Sequence, residues 1–352
     1  MYTPHAVPPP RIHRWALPLA ALYGAVVRLR HVLYDTGVLR SEYAVLPTVV
    51  VGNVAVGGTG KTPLTLLLAA EVAAWAGEGR VAILSRGYRR TGSGFRIVEV
   101  GDRAEVVGDE PLMMKRAAPG CVVAVCADRL EGVRRLKAER PDVRWVLLDD
   151  GWQHRRLRPD LAVAAVDATR PVIGDALLPA GRLRDLPSRL RTCDAVVVTR
   201  CPEGADPRAV LRGLAVVPEG RPVWGVRAER AVVSERALEG RPRVVAVAGI
   251  ARPERFFEGL EDRFDVCATL PYPDHARFTE ADVEVWRTAV RTSAAEGLVL
   301  TEKDAVRLGP LADRLADVPI FVERLAFVLD DAEAFRSWLH AALAAVPVRG
   351  RW

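Results

Sequence analysis

Apolar residues in this chain gather in short unbroken runs, each closed by a polar residue or a glycine, and the runs alternate with stretches of helical character. The run Val49 to Val51 opens into Gly52-Asn53-Val54-Ala55-Val56-Gly57-Gly58-Thr59-Gly60-Lys61-Thr62-Pro63 and then a leucine-rich stretch. This predicts strand, glycine loop and helix, in that order. Val81 to Leu84 ends in Ser85-Arg86-Gly87-Tyr88, Cys121 to Cys126 in Ala127-Asp128-Arg129, and Trp145 to Leu148 in Asp149-Asp150-Gly151. Leu161 to Val166 ends in Asp167, and Ala195 to Val198 in Thr199-Arg200. Runs that do not alternate suit strands buried on both faces, so the pattern predicts an α/β fold on a doubly wound parallel sheet. In that architecture ligands bind beyond the carboxyl ends of the strands, where these polar residues gather.

A second alternating set comprises Arg243 to Val247, Val266 to Leu270 and Leu298 to Leu300. Arg221 to Arg236 before it and Pro319 to Leu329 after it are extended, β-rich and mixed in charge, and they are expected to pair as a connector between two domains. A chain of 352 residues exceeds what one core usually serves. The expected organisation is an N-terminal segment 1–45, a nucleotide-binding core 46–220, a β connector 221–240, a second, smaller α/β domain 241–318, and a returning strand and helix 319–352. In the first segment, Trp15 to Val27 is apolar and flanked by Arg11, His13 and Arg14 and by Arg28, Arg30 and His31. It falls short of the ~20 residues a spanning helix needs, and no small-residue cleavage site follows it. A membrane-associated amphipathic helix lying in the interface fits best; a helix packed on the protein's own core is the alternative.

Composition sharpens this picture in three ways. The net charge of +6 points to an anionic partner, a nucleotide or a phospholipid surface. Basic and aromatic residues are not interleaved as on RNA-binding sheets, so no nucleic acid is expected. The five cysteines, Cys121, Cys126, Cys193, Cys201 and Cys267, form no Cys-x-x-Cys pair and read as buried thiols. Lys+Arg number 50, yet lysine stands only at Lys61, Lys115, Lys137 and Lys303, so a lysine in the glycine loop suggests a site that wants a compact charge.

The chemistry starts at that loop. Glycines let the backbone approach phosphate oxygens, and the helix N-terminus adds its dipole. Val56, Gly57, Gly58, Thr59, Gly60, Lys61, Thr62 and Pro63 are the candidate nucleotide cradle, with Lys61 reaching the β/γ-phosphates and Thr62 a magnesium ion. The first glycine of the usual phosphate-loop pattern is replaced by Ala55. Asp149 and Asp150, closing an apolar strand, are placed to hold that metal. Gly108-Asp109-Glu110-Pro111 suits a helix start, but phosphoryl transfer to an alcohol also needs a carboxylate to take the hydroxyl proton, and Asp109 is the candidate. His275, in Tyr272-Pro273-Asp274-His275, could tune that acid. The arginine-rich stretches 153–158 and 181–185 could bind anions or form solvated faces.

Several motifs occur together in the order seen in one family. Gly52-Asn53 through Pro63, Ser85 to Tyr88, Gly108 to Pro111, Asp149-Asp150-Gly151 with Gln153-His154, Leu178 to Gly181, Tyr272 to His275 and Thr301-Glu302-Lys303-Asp304-Ala305 resemble the tetraacyldisaccharide 4'-kinases, the lipid A 4'-kinases of Gram-negative bacteria. The resemblance covers nearly the whole chain. Trp152 stands where phenylalanine is usual, and Gly181 to Asp185 departs from the common Gly-Pro-Leu-Arg-Glu. The resemblance implies ATP and Mg²⁺ as cofactors and transfer of the γ-phosphate to the 4'-hydroxyl of an acylated glucosamine disaccharide 1-phosphate. It implies Asp109 as base assisted by His275, Glu110 at the nucleotide, and Thr62, Asp149, Asp150 and Gln153 at the metal. Tyr88, Arg129, His154 and Arg184 are then expected to meet the substrate. The inner-membrane phospholipid surface, on its cytoplasmic face, would be met by the N-terminal helix, with no obligate protein partner. The rival, a membrane-associated regulatory ATPase, carries a second lysine where this chain has Val56. A non-catalytic adaptor would not need Lys61, Thr62, Asp109 and Asp149 together.

Overall fold

The computed structural model describes residues 10–170, 172–211, 217–234 and 240–347. Among these, one mixed sheet of twelve strands carries the fold. In spatial order its strands are Asp265–Pro271, Arg243–Ala248, Gly297–Thr301, Ile320–Leu329, Val223–Val233, Ala195–Thr199, Leu161–Asp167, Thr48–Gly52, Trp145–Asp149, Val81–Ser85, Val122–Val125 and Arg96–Val98. Thr48–Gly52, the first strand of this sheet along the chain, thus sits inside it, parallel to Leu161–Asp167 on one side and Trp145–Asp149 on the other. That is where connections diverge to the two edges, and where a crevice opens for a ligand.

The central strands are buried along their whole length, as their non-alternating Val, Leu and Ala content requires. Successive residues feed opposite layers. Val50, Leu84, Val146 and Leu148 join one apolar cluster, while Val49, Val51, Ile83 and Leu147 join the other. Phe335, Leu339 and Leu343 of the last helix, Ala332–Ala344, enter this second cluster beside Leu64 and Leu68 of the helix Lys61–Ala76. Arg336 clamps Glu71 of that helix through two hydrogen bonds of 2.7 and 2.9 Å.

The sheet is antiparallel in two places, one of them the pairing expected of the connector strands. Arg96–Val98 closes one edge antiparallel to Val122–Val125; three residues are too few to leave a run in the sequence. Val223–Val233 and Ile320–Leu329 pair antiparallel from Val226 opposite Leu329 to Val233 opposite Val322. The start of Val223–Val233 continues the sheet beside Ala195–Thr199, and the start of Ile320–Leu329 lies beside Gly297–Thr301. Residues 235–239 of the expected connector lie outside the described residues, as do 171, 212–216 and the chain ends 1–9 and 348–352. The strands after residue 242 have separate cores, with Trp286, Val245 and Leu300 on one face and Phe256, Phe264 and Val244 on the other.

At the N-terminus the helix is longer than the apolar run that announces it. A 3-10 turn, Arg14–Ala16, leads into the helix Leu17–Asp35. Together they are long and apolar enough, by length and composition, to cross a membrane, which corrects the expectation that the segment is too short. Arginines bound an apolar run without ending a helix; Gly37, at φ +80°, comes just after the end. The usual amphipathic arrangement is reversed. Small residues, Ala16 and Ala20, pack on Ala180, and Gly24 has no room for a Cβ because Leu177 would lie 2.7 Å from it. The large apolar side chains of Trp15, Leu19, Leu22, Val26 and Leu29 face outward, Trp15 with 77% of its surface exposed.

Candidate active site

The glycine loop leaves the buried strand Thr48–Gly52 and delivers Lys61 and Thr62 as the first residues of the helix Lys61–Ala76. Pro63, the next residue, lies within the first turn, where its missing N–H breaks no helical bond. Gly57 and Gly60 have φ of +98° and +82°, conformations that favour glycine. At Gly60 an added Cβ would also meet the Phe327 ring at 2.6 Å, whereas no heavy atom lies within 4 Å of one at Gly57 or Gly58. The loop is pinned from outside. The Asn53 amide donates to Thr59 Oγ1 at 2.6 Å, the Thr199 hydroxyl donates to the Thr59 carbonyl at 2.8 Å, and Arg200 donates to the Gly58 carbonyl at 3.1 Å. The Val56 N–H donates to the carbonyl of Arg182 at 2.8 Å.

The two successive acids have different surroundings. Asp149 ends its strand buried, and Thr65 Oγ1 donates to it at 2.9 Å. Burial, reinforced by the carboxylates of Glu110 and Asp150, pushes its pKa up to about 7, against Lys61 and Thr65. Asp150 turns into a left-handed conformation, φ +51°, and the Arg184 guanidinium grips both its oxygens. Burial raises the Asp150 pKa, but the Arg184 hydrogen bonds and Lys61 outweigh it and hold the group below the usual carboxylate range. Lys61 Nζ stands 3.8 Å from Asp150 Oδ1. Burial draws the lysine pKa down, opposed by Asp150, Asp149 and Glu110. Gln153 donates through Nε2 to the Asn53 carbonyl at 2.9 Å, and its buried Oε1 has no partner among the described residues. Thr62, Asp149, Asp150 and Gln153 offer oxygen donors, the kind magnesium takes, and the orphaned Oε1 fits that set.

Asp109 and Glu110 open the helix Asp109–Ala117. Glu110 acts electrostatically on Lys61 and Asp149, while Asp109 turns to residues from the far end of the chain. His275 Nδ1 lies 2.9 Å from Asp109 Oδ2, and Arg307 Nε donates to the same oxygen at 2.7 Å. Lys303 Nζ lies 3.2 Å from His275 Nε2. An ammonium can only donate, so Nε2 accepts and Nδ1–H donates to Asp109. Burial raises the Asp109 pKa, and the Arg307 charge, with the hydrogen bonds from Arg307 and His275, overcomes it and holds the group low. Lys303 also reaches Glu110 at 3.7 Å and Asp274 at 3.5 Å. A cavity of about 380 Å³ opens beside this cluster, lined by Arg89, Glu105, Asp109, His275, Arg277 and Arg307 among others.

The four expected substrate residues separate. Tyr88 is exposed, edge-on to His275 with ring centroids 5.9 Å apart. Arg129 is buried under the acidic pair, donating to the Cys126 carbonyl at 2.8 Å and to that of Asp149 at 3.5 Å. His154 sits 3.9 Å from Asp128, and Arg184 is committed to Asp150 and Asn53. Lys303 and Arg307 were not picked out by sequence reasoning, although Lys303 lies in the shared stretch Thr301 to Ala305. The side chain of Asn53 was passed over too, despite its place in the loop motif.

Comparison with known proteins gives a consistent result. A sequence model of the family described as Tetraacyldisaccharide-1-P 4'-kinase matches residues 12–344. The tetraacyldisaccharide 4'-kinase of Porphyromonas gingivalis is 38% identical over 315 residues, 85% of this chain and 87% of that protein. The Geobacter metallireducens protein of the same name is 40% identical over 311 residues, covering 85% and 90%. A crystal structure of LpxK from Aquifex aeolicus, described as an "apo" form in complex with ATP, superposes with a TM-score of 0.76 at 28% identity, covering 94% of this chain and 98% of that one.

Proposed function

The chain belongs to the tetraacyldisaccharide-1-P 4'-kinase family, and from that membership we propose that it transfers the γ-phosphate of ATP to the 4'-hydroxyl of a tetraacyl-disaccharide 1-phosphate, a step of lipid A biosynthesis. The observation that carries the reading at this site is the 2.9 Å contact between Asp109 and His275, made beside the glycine loop by residues 166 apart in the chain. The loop from Val56 to Pro63 cradles the triphosphate, with Lys61 as its point charge. Thr62, Asp149, Asp150 and Gln153 would hold magnesium, which would supply charge neutralisation at the phosphates.

Asp109 takes the acceptor proton. Its Oδ2 receives both Arg307 and His275, which leaves Oδ1 for the incoming hydroxyl. His275, pinned between Lys303 and Asp109, fixes the carboxylate's orientation. The adjoining cavity takes the acceptor sugar, and Tyr88 stands edge-on to His275 of its lining. Arg129 and Arg184 serve the acidic pair more than the acceptor, and His154 stands beside Asp128. Residues 46–220 form the nucleotide lobe, and 241–318 form the lobe that delivers His275, Lys303 and Arg307. The outward apolar row of the first helix rests on the phospholipid surface at the cytoplasmic face of the inner membrane, where a lipid acceptor is met.

The test is transfer from γ-labelled ATP to purified acceptor, with identification of the labelled hydroxyl. Label at the 4' position is expected, and Asp109→Ala should cut turnover by about 10²–10⁴-fold with ATP binding kept. Acceptor-independent phosphate release with no labelled lipid would point to the ATPase reading instead.

A further inference from the structure

The helix Leu17–Asp35 has an inner face as specific as its outer one is apolar. Tyr23, Arg30 and His31 project from one side, as a spacing of seven and eight residues demands. Tyr23 Oη donates to the Arg184 carbonyl at 2.7 Å, and Arg30 donates to the Gln153 carbonyl at 2.8 Å. His31 Nε2 lies 2.6 Å from Asp185 Oδ1, and both side chains are buried. Arg155 Nη1 approaches His31 Nδ1 at 3.1 Å. Arginine only donates, so Nδ1 accepts and Nε2–H donates to Asp185, leaving both ring nitrogens satisfied.

What the helix holds is the wall of the nucleotide site. The N–H groups of Arg184 and Asp185 donate to the Val54 carbonyl at 2.9 and 3.1 Å, and the Arg182 carbonyl receives the Val56 N–H. The segment 182–185 therefore runs alongside the entrance to the glycine loop. From the same segment Arg184 reaches Asp150 and Asn53, and Asn53 in turn holds Thr59. Gln153 bridges the Asn53 carbonyl and Asp185.

We infer that Tyr23 and His31 are positioning residues for nucleotide binding: from the helix that carries the outward apolar row, they fix segment 182–185 and through it the glycine loop and Arg184. The helix that faces lipid is thereby a structural part of the phosphate site. This rests on the reading of that site given above.

The experiment uses the full chain with MgATP and acceptor each varied in turn, vesicles of phosphatidylethanolamine and phosphatidylglycerol for binding, and thermal melting of every variant. His31→Ala should raise KM for MgATP about tenfold, the scale of a lost hydrogen bond to a buried charge. Acceptor KM and vesicle binding should hold. His31→Gln, whose amide also offers one donor and one acceptor, should return KM to within about threefold of the native value. Tyr23→Phe removes one hydroxyl from the same anchor and should raise KM for MgATP without lowering the melting temperature appreciably; it carries the test should His31→Ala not fold. Unchanged MgATP KM in both His31→Ala and Tyr23→Phe overturns the inference, as does His31→Gln impaired as badly as His31→Ala. Lys61→Ala runs beside them: if it too binds and uses ATP normally, the nucleotide site itself is misassigned; if it fails while the helix variants are normal, only the positioning role is lost.

Discussion

At the scale of single residues, the site depends on unlike environments for like groups. Asp149 and Asp150 are neighbours, yet one is buried against Glu110 with its pKa at about 7 and the other is held low by Arg184 and Lys61. The raised value has a consequence for stability. Because the folded pKa of Asp149 exceeds its ordinary one, the native state binds an extra proton between them, and the stabilisation is lost as pH rises through about 7. Without magnesium the protein should melt lower at pH 8 than at pH 6, and Asp149→Asn, which keeps an acceptor for Thr65, should flatten that difference in a melting series across pH. Lys61, Thr62 and the acidic pair were legible because they close apolar runs at a recognisable spacing, and Asp109 because it stands in a Gly-Asp-Glu-Pro helix start where phosphoryl transfer to an alcohol needs a carboxylate. Arg307 was not, since its partner Asp109 lies 198 positions away and no local pattern records the pairing. His31 and Asp185 were hidden for the same reason: a basic residue flanking an apolar run reads as a boundary, while its buried partner is 154 residues distant.

At the scale of elements, the parallel strands were legible nearly to the residue, because burial on both faces leaves continuous apolar runs. The short edge strand Arg96–Val98 and the full extent of the first helix were not, since neither the one's three residues nor the other's basic end continues such a run. The glycine loop shows how an element constrains its sequence. Gly60 combines a left-handed φ with the Phe327 ring beneath it, while Gly58 borders open space. Gly60→Ala is expected to destabilise the fold by about 1–3 kcal/mol, from strain and displacement of the ring, and to weaken ATP binding. Gly58→Ala should leave the melting temperature close to native. Paired calorimetric scans and nucleotide titrations check both; equal melting temperatures for the two variants would count against the close packing described.

At the scale of the whole molecule, charge and apolar surface are arranged around one end of the sheet. The nucleotide loop, the acidic pair and the first helix stand together there, so a bilayer bound on the outward row would lie close to the reacting groups. Leu22 and Val26 are 64% and 59% exposed and contribute to that row. Their joint replacement by glutamate should abolish vesicle binding while shifting stability by no more than about 0.5 kcal/mol per site. Flotation with phospholipid vesicles, run beside a melting curve, measures the two effects separately; vesicle binding that survives the double replacement would mean another surface meets the membrane.

The antiparallel pairing of Val223–Val233 with Ile320–Leu329 also bears on descent. The chain departs for its smaller half and comes home along neighbouring strands, so the ends of that half are side by side. Segments whose ends meet are the ones a host fold accepts most readily. One insertion into a nucleotide-binding host would suffice to place a histidine, a lysine and an arginine opposite an aspartate of that host.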